Sequence, residues 1–458
     1  MAKPYIFKFG GSSLKTATCI AGVVDIIAGF EKPLAVVTSA LAGITDLLVE
    51  AGDERGRVAE IRDTIQQRHL ETGRELGLRS ETLNDFEAYL DTTLDDLAAA
   101  ATGNGRTRDL VLSIGERLST NLLAAALEAR GIGSRYVDSR PVIRTDSHWS
   151  EARIDLSATH RQITETLAPI LDEGDIPVVT GFLGSNEAGE TTTIGRNGSD
   201  LTATLLGRCL DANEVWIWTD VDGIYTADPR YHEGAKVLPE ISFREAAEAA
   251  YFGATVIHPH TLWPVLETEV AVRIKNTFKP QNGGTLICAE PKQRGKILIT
   301  TSVEGVAVIT VGGYGMVGVP GVAATIFTAV KETGTNVLMI SQSSAEHNIT
   351  FVIRDQEVHE TVASLERALS EWIEKDHLID RIRVVTDVAV ITVVGENMRG
   401  RYGIAGKIFS ALGRSRINVI AIAQGSSEYS ISMVLKEADM RRAIDAIHGE
   451  LDEENHGN

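Results

Sequence analysis

Cysteine is scarce in this chain and positive charge is outnumbered, and each shortage excludes something. Cys19, Cys209 and Cys288 are odd in number, far apart and without metal-ligand spacing. Neither a disulfide framework nor a zinc site has support, so reduced thiols are expected. Lys and Arg number 44 against 63 Asp and Glu, a net charge of −19, and no compact basic stretch offsets it. A nucleic-acid or anionic-membrane surface is therefore disfavoured. No apolar run approaches the ~18 to 20 residues that span a bilayer. The opening MAKPYIFKFGGSS lacks the apolar segment and cleavage site of a signal peptide, and the expected location is the cytoplasm. What is present is ordinary globular material, 43% hydrophobic over 458 residues. At ~150 residues per domain that length implies two or three domains.

Comparing the chain with itself reveals a repeat. Residues 305–353 align without a gap on the stretch 82 positions further along, with about 22 of 49 positions identical. Each copy reads as a β-branched strand, a Gly-rich loop, an amphipathic helix, two strands and a second helix, around 356–372 and 437–450. That is the βαββα start of a ferredoxin-like unit. The first copy can close with a strand near Arg381–Val385, whereas the second runs into the polar tail LDEENHGN. The spare apolar run KILITT at 296–301 is expected to complete the second copy, which places the first copy as an insertion within it. Upstream of 290, short apolar strands at Tyr5–Phe9, Leu34–Val37, Ile176–Val179 and Val215–Trp218 alternate with helices, as in an α/β sandwich. Long helical patterns occupy about 57–76, 84–101 and 113–130, and PKQRG at 291–295 marks the boundary.

Two nucleotide patterns fail. Gly313-x-Gly315-x-x-Gly318 follows a strand and precedes a helix, but the second copy keeps strand and helix while holding Glu396 and Asn397 in place of Tyr314 and Gly315. Gly406-Lys407 resembles a P-loop end, yet Gly400 is one residue too far upstream and Ile408 stands where Ser or Thr belongs. A better phosphate signal is Lys8-Phe-Gly10-Gly11-Ser12, a strand ending in a lysine and two glycines that let backbone amides approach an anion. From these residues alone, phosphate binding and plain turn architecture both remain open. In TTTIGRNGSDLTATLLGRCL at 191–210, Ser199 or Asp200 sits where an N-cap belongs, and Arg196 can fork onto a carboxylate beside the positive helix end. An apolar strand ends at Thr219-Asp220, and Tyr225 and Arg230 follow in an irregular loop, a solvated acidic loop or a nucleotide pocket at a strand's carboxyl end. Glu116, read as lying near a helix start, has a structural explanation in the helix dipole. His148, His258 and His260 form no triad or metal arrangement.

In order, KFGGSSL (8–14), VVTSALAGITDLL (36–48), SIGERLS (113–119), GFLGS (181–185), TTTIGRNGSDLTA (191–203), WTDVDGIYTADPR (218–230), EAAYFGATVIHPHTL (248–262) and VRIKNTFKPQNGGTLI (272–287) resemble the aspartate kinases. These belong to the amino-acid kinase superfamily and carry C-terminal regulatory ACT domains, here with MISQSSAEHNITFVI and AIAQGSSEYSISMVL. The resemblance covers almost the whole chain. It implies a three-layer kinase sandwich over 1–290 followed by two ferredoxin-like ACT domains, 303–385 and 386–452, the latter completed by 296–301.

The activity it implies is ATP-dependent phosphorylation of the β-carboxylate of L-aspartate to 4-phospho-L-aspartate, the first step towards lysine, threonine and methionine. Magnesium arrives on the ATP, and no resident metal is implied. Lys8 and Asp200 take the catalytic places; Ser39, Thr45, Glu116, Phe182, Arg196 and Ser199 shape the aspartate pocket. Lys8, Gly10, Gly11, Ser12, Thr219, Asp220, Tyr225 and Arg230 hold the nucleotide. An effector amino acid, threonine first and lysine second, is implied at Met316, Gly321, Val322, Asn336, Val337 and Gln342 of the first ACT copy and Asn418, Val419 and Gln424 of the second. ACT units usually pair across subunits, which implies a homodimer or larger. One departure is Thr255, where the family often has a nucleotide-contacting lysine, a place Lys275 is a candidate to fill. A kinase for glutamate, carbamate or a nucleotide, and a non-catalytic amino-acid sensor, are the rival readings; Arg196 with Glu116 and the ACT pair argue against the first, Lys8, Arg196 and Asp200 against the second.

Overall fold

A computed structural model describes residues 3–253, 256–292, 298–342, 347–375, 377–398, 400–425 and 427–456. The chain divides into two compact units: Met1–Ile224, Val237–Phe243 and Val256–Pro291 make the first, and Tyr225–Lys236, Arg244–Thr255 and Lys292–Asn458 the second.

The first unit contains strands β1 (Tyr5–Phe9), β2 (Leu34–Thr38), β3 (Ser134–Val137), β4 (Ile176–Thr180), β5 (Leu183–Ser185), β6 (Thr191–Thr193), β7 (Glu214–Thr219), β8 (Glu240–Ser242), β9 (Ala271–Asn276) and β10 (Thr285–Cys288). Eight form one sheet in the order β3-β4-β2-β1-β7-β9-β10-β8, and β5 pairs with β6 separately. Every pairing in the large sheet is parallel except β9 with β10. The central strands are near-continuous apolar runs because both faces are covered. Phe7 and Phe9 point into the core shared with helices Ala17–Ala28 and Gly105–Ala129. The alternate residue Lys8 points to the opposite face, where helix Gly198–Cys209 packs on β1. Helix, sheet and helix make the three layers. β1 lies between β2 and β7, so the chain winds away from it in both directions, and the crevice at its carboxyl end is where such sheets bind ligands.

The expected strands are present, and the helix near 57–76 runs from Val58 to Glu75. The pattern at 84–101 resolves into helix Ser80–Leu94 and 3-10 turns over Asp95–Thr102. The helix expected over 113–130 instead begins at Gly105, because Asn104 and Thr107 form a reciprocal capping box there. Glu116 is therefore in mid-helix, and the dipole explanation for it falls. Helix Gly105–Ala129 is long and apolar enough to cross a membrane by composition, but 83% of its apolar window is buried in the fold, as a core helix requires.

The second unit is built on strands β11 (Ile299–Gly312), β12 (Met339–Gln342), β13 (Asn348–Arg354), β14 (Arg381–Val394), β15 (Ala421–Gln424) and β16 (Ser430–Lys436). They form an antiparallel sheet in the order β12-β13-β11-β14-β16-β15. The two central strands each serve both copies. Val308–Gly312 pairs with Arg381–Val385, and Ile299–Val303 pairs with Val390–Val394, with a register shift between. Of the run expected at 296–301, residues 296 and 297 lie outside the described residues, as do 293–295 of the expected boundary. Equivalent positions build the two cores: Ile309, Ile326, Ile349 and Phe351 in one, and Ile391, Ile408, Ile431 and Met433, each 82 further on, in the other.

Ile391 is fully buried between β11 and β16. Ile391→Ala is expected to cost about 2–5 kcal/mol of unfolding free energy, read as a lower urea midpoint. A midpoint within experimental error of the parent would contradict this core assignment.

Candidate active site

Lys8, the fourth residue of β1, is 8% exposed, and its Nζ lies 2.5 Å from Oδ1 of Asp200, itself 8% exposed. The turn after β1 leaves the ammonium room: a Cβ on Gly10 would sit 3.4 Å from Nζ, and one on Gly11 3.3 Å from the Ala40 carbonyl. The Gly10 amide donates to the Trp218 carbonyl at 3.3 Å, and the Ser13 hydroxyl bonds Thr277 Oγ1 at 2.6 Å, which ties this turn to the ends of β7 and β9.

Asp200 reaches Lys8 because helix Gly198–Cys209 starts close under the turn after β4. A Cβ on Gly198 would meet the Phe182 ring at 2.6 Å, and one on Gly181 would meet Ser199 Cβ at 2.5 Å, so larger residues would push the helix away. Contrary to the sequence reading, neither Ser199 nor Asp200 caps this helix. Asn197 holds the cap position in the left-handed region, with no side-chain cap bond, and Asp200 is spent on Lys8. Phe182 also has a positive φ, 70°, an uncommon conformation for a bulky residue and one found at functional sites.

Glu116 enters from the opposite face. The loop after β2 comes close to its helix because a Cβ on Gly115 would lie only 2.7 Å from Ala40 Cβ. Ser119 Oγ donates to the Ser39 carbonyl at 2.7 Å and holds that loop. Glu116 is 5% exposed, and its Oε2 is buried without a hydrogen-bond partner among the described residues. Burial pushes its carboxyl up to about 8, against the pull of the Ala40 amide, its own amide and the Lys8 charge.

These groups line one cleft of about 920 Å³. Lys8, Gly11, Ser39, Thr45, Glu116, Phe182, Arg196, Ser199 and Asp200, brought from widely separated motifs, all face it. Arg196 and Thr45 are exposed at its walls. Sequence reasoning missed Arg108 and Arg153, which line it too. It also missed Asp109 on the same helix as Glu116; seven residues, two helical turns, separate the pair, and that spacing is the signal that places them on one face.

Of the nucleotide residues expected from the sequence, Lys8 and Gly11 line that cleft, while Gly10, Ser12, Thr219, Asp220, Tyr225 and Arg230 are not in its lining. Thr219 Oγ1 donates to Asp220 Oδ1 at 3.1 Å, and Asn276 Nδ2 donates to the Asp220 carbonyl at 3.2 Å, in the first unit. Tyr225 and Arg230 belong to the second unit, where Arg230 forks onto Asp228 with Nη2 at 2.6 Å. Lys275 is committed elsewhere: its Nζ donates to the Pro280 and Asn282 carbonyls and lies over the Trp216 and Trp218 rings. Thr255 lies outside the described residues. Among the expected effector residues, Met316 and Val322 are buried and Gly321 is the left-handed cap of helix Val322–Glu332. Val337 is half-buried, and its carbonyl accepts from the Tyr251 hydroxyl at 3.2 Å; Asn336 is exposed. Gln342 and Gln424 end the edge strands β12 and β15 and are exposed, as is Asn418, with Val419 half-buried.

The amino acid kinase family pattern matches residues 3–276, and the ACT domain pattern matches 309–369 and 391–451. The chain is 33% identical over 463 residues to bifunctional aspartokinase/homoserine dehydrogenase 2 of Arabidopsis thaliana, covering 97% of this chain and 50% of that one. It spans about half the length of such bifunctional relatives. It is 32% identical to aspartokinase 1 of the same plant, covering 97% of this chain and 79% of the relative. Among solved structures, E. coli aspartokinase III in complex with aspartate and ADP superposes with a TM-score of 0.80 at 30% identity, covering 98% of this chain and all of that one. The same enzyme in complex with lysine and aspartate gives 0.83 at 30% identity, covering 98% of this chain and 99% of that one.

Glu116 makes one site property measurable without substrate. Because its carboxyl stands near 8 when folded against an ordinary 4.5, the folded chain holds an extra proton between those values, and stability falls as pH rises through that window. Glu116→Gln is expected to lack that decline when unfolding free energies are compared from pH 4.5 to 8. Parallel profiles for the two proteins would refute the shift.

Proposed function

The chain belongs to the aspartokinase family of amino acid kinases, and from that premise we propose that it transfers the γ-phosphoryl group of ATP to the β-carboxylate of L-aspartate. The product is 4-phospho-L-aspartate, on the route to lysine, threonine and methionine. The observation that carries the reading is the buried Lys8–Asp200 pair facing a cleft in which Glu116 presents a buried carboxyl group, its Oε2 without a hydrogen-bond partner among the described residues, and Arg196 an exposed guanidinium.

A β-carboxylate is already ionised at neutral pH and needs no general base. The barrier is the approach of one anion to another, so the protein's work is positioning and charge neutralisation. Lys8 bridges the β and γ phosphates and stabilises charge on the group in flight, with the amides after Gly10 and Gly11 beside it. MgATP is the second substrate, its ion adding to that neutralisation. Asp200 holds the ammonium of Lys8 in place until the phosphates arrive. Arg196 takes the α-carboxylate of aspartate in a forked pair, and Glu116, deprotonated by the approach of a cation, takes the α-ammonium. Thr45, Ser39, Phe182 and Ser199 close around the side chain. Glutamate is longer by one methylene, which displaces the nucleophile by more than an ångström and spoils in-line attack. Ser12, Thr219, Asp220, Tyr225 and Arg230 hold the nucleotide.

An end-product amino acid, threonine first and lysine second, acts at the ACT repeats of a homodimer or larger assembly, at the Met316, Gly321, Val322, Asn336, Val337 and Gln342 group and at Asn418, Val419 and Gln424. Support for coupling comes from the segment Tyr225–Lys236, which folds as part of the second unit. Arg441 Nη2 donates to the Arg230 carbonyl at 2.8 Å, His232 Nδ1 lies 2.8 Å from Asp445 Oδ1, and Ala227 bridges to Thr300. A shift in the repeats is thereby passed to the proposed nucleotide loop through contacts internal to that unit.

With ATP, magnesium, aspartate and hydroxylamine, the protein is expected to form aspartyl hydroxamate, and Lys8→Ala to lose that activity while keeping its circular dichroism spectrum. No hydroxamate from the parent protein sinks the kinase reading; an unchanged rate in Lys8→Ala sinks the role of that lysine. In the same assay threonine is expected to inhibit more strongly than lysine. Arg441→Ala, which lies far from the cleft residues in sequence, is expected to keep the uninhibited rate and to need a several-fold higher inhibitor concentration. Inhibition curves that superpose would remove the segment Tyr225–Lys236 from the regulatory route.

A further inference from the structure

One carboxylate outside the cleft lining joins three of the cleft's parts. Asp109 is fully buried. Its Oδ2 accepts the Ser150 amide at 2.9 Å and the Thr193 amide at 2.8 Å, and its Oδ1 accepts the Ser150 hydroxyl at 3.2 Å. The donors it engages here are neutral amides and a hydroxyl, so the charge is held by oriented dipoles. A buried anion held this way is a costly means of filling space. The segments it ties together are specific. Ser150 belongs to the wall His148–Glu151 that faces the cleft, and takes a positive φ of 69°. Thr193 ends β6 three residues before Arg196, and its carbonyl accepts the Ala152 amide at 2.9 Å. Gly195, next to Arg196, lies against the same wall: a Cβ there would stand 3.6 Å from Glu151 Cγ and from the Ser150 carbonyl. Asp109 itself is on the helix that carries Glu116, two turns away on the same face.

We infer that Asp109 is a positioning residue for the amino-acid substrate: it fixes the strand end and wall that bear Arg196 relative to the helix that bears Glu116, so that both ends of one small zwitterion are met at once. The inference rests on the reading of Arg196 and Glu116 as the aspartate-binding pair. It does not involve the nucleotide, whose proposed ligands at the end of β1 and beyond β7 make no hydrogen bond to Asp109 among the described residues. Loss of the carboxylate leaves buried amide donors unpaired, and the loop carrying Arg196 is then free to shift by the fraction of an ångström that a forked pair does not tolerate.

The test is calorimetric binding on the full chain, with L-aspartate and, separately, a non-hydrolysable ATP analogue with magnesium. Asp109→Asn keeps the size and removes one acceptor. It is expected to weaken aspartate binding by about tenfold or more and to leave analogue binding within about twofold; in turnover the KM for aspartate is expected to rise far more than kcat falls. Equal aspartate affinity in parent and variant overturns the inference while leaving the kinase reading intact. A parent protein that binds no aspartate overturns both. If Asp109→Asn does not fold, Ser150→Ala, which keeps both amide bonds and drops only the hydroxyl bond, is expected to weaken aspartate binding alone, by about two- to threefold. An equal loss for both ligands in that variant reduces Asp109 to a purely structural residue and overturns the inference.

Discussion

A lysine ammonium sits almost fully buried at the carboxyl end of the central strand, and the arrangement of the first unit depends on how that charge is met. Taking an ammonium and a carboxylate out of water costs several kcal/mol per ion, offset only if they meet closely. The pair Lys8 and Asp200 meets at 2.5 Å, and the glycines around it explain how. Gly181 and Gly198 let the helix bearing Asp200 seat itself under the turn after β4, and Gly10 keeps the space beside Nζ free of a side chain. Each of these glycines is placed by a neighbour's atoms rather than by a need for unusual dihedrals, since none of the three has a positive φ.

Across the cleft the balance is reversed. Among the described residues Glu116 is buried without an ion partner and one of its oxygens has no hydrogen-bond donor, and its carboxyl is held far above the usual range. Lys8 lowers it without neutralising it. The fold thus satisfies the Lys8 charge internally and leaves the Glu116 carboxyl favouring its neutral form. That asymmetry fits the proposed site for a zwitterion next to a polyanion, and it is compatible with a chain whose net charge is −19, because the two groups are placed singly and out of bulk solvent.

The sheet was legible because parallel strands covered on both faces read as near-continuous apolar runs, as at Ile176–Thr180 and at Tyr5–Phe9, where Lys8 is the one charged residue. The cleft residues were legible as motifs, and the structure brings nine of them to one cavity. What escaped was geometry that no local pattern encodes. The polar stretch at 105–109 hides the start of helix Gly105–Ala129, so Glu116 read as a helix-end residue and Asp109 was not read at all. Asp200 looked like a cap because caps and ion-pair partners draw on the same side chains. The irregular loop after Asp220 fell within the span 1–290 read as the kinase domain, yet Tyr225–Lys236 folds with the ACT repeats, with Ala227 packed in the core of the second copy. Contacts so distant in sequence leave no periodicity to read.

The repeat shows where duplication stops. Positions that build the two cores keep their character at a spacing of 82: Ile309 and Ile391, Val311 and Val393, Ile326 and Ile408. At the strand ends the copies diverge, and the second copy's residues there are those that meet helix Phe243–Tyr251. The Glu396 amide donates to Glu245 at 2.8 Å, Arg244 donates to the Tyr429 hydroxyl at 2.9 Å, and Ser430 donates to Glu248 at 3.0 Å. Their counterparts in the first copy are Tyr314, His347 and Asn348, and there Tyr314 is 83% exposed and stacks on His347. A backbone amide, a phenol and a hydroxyl are used in one copy to hold a helix, while the equivalent end of the other copy presents an aromatic side chain to solvent. Shared core identities therefore describe a common scaffold. The ends of the two copies are chemically different surfaces, and a ligand that reads side chains meets a different set in each.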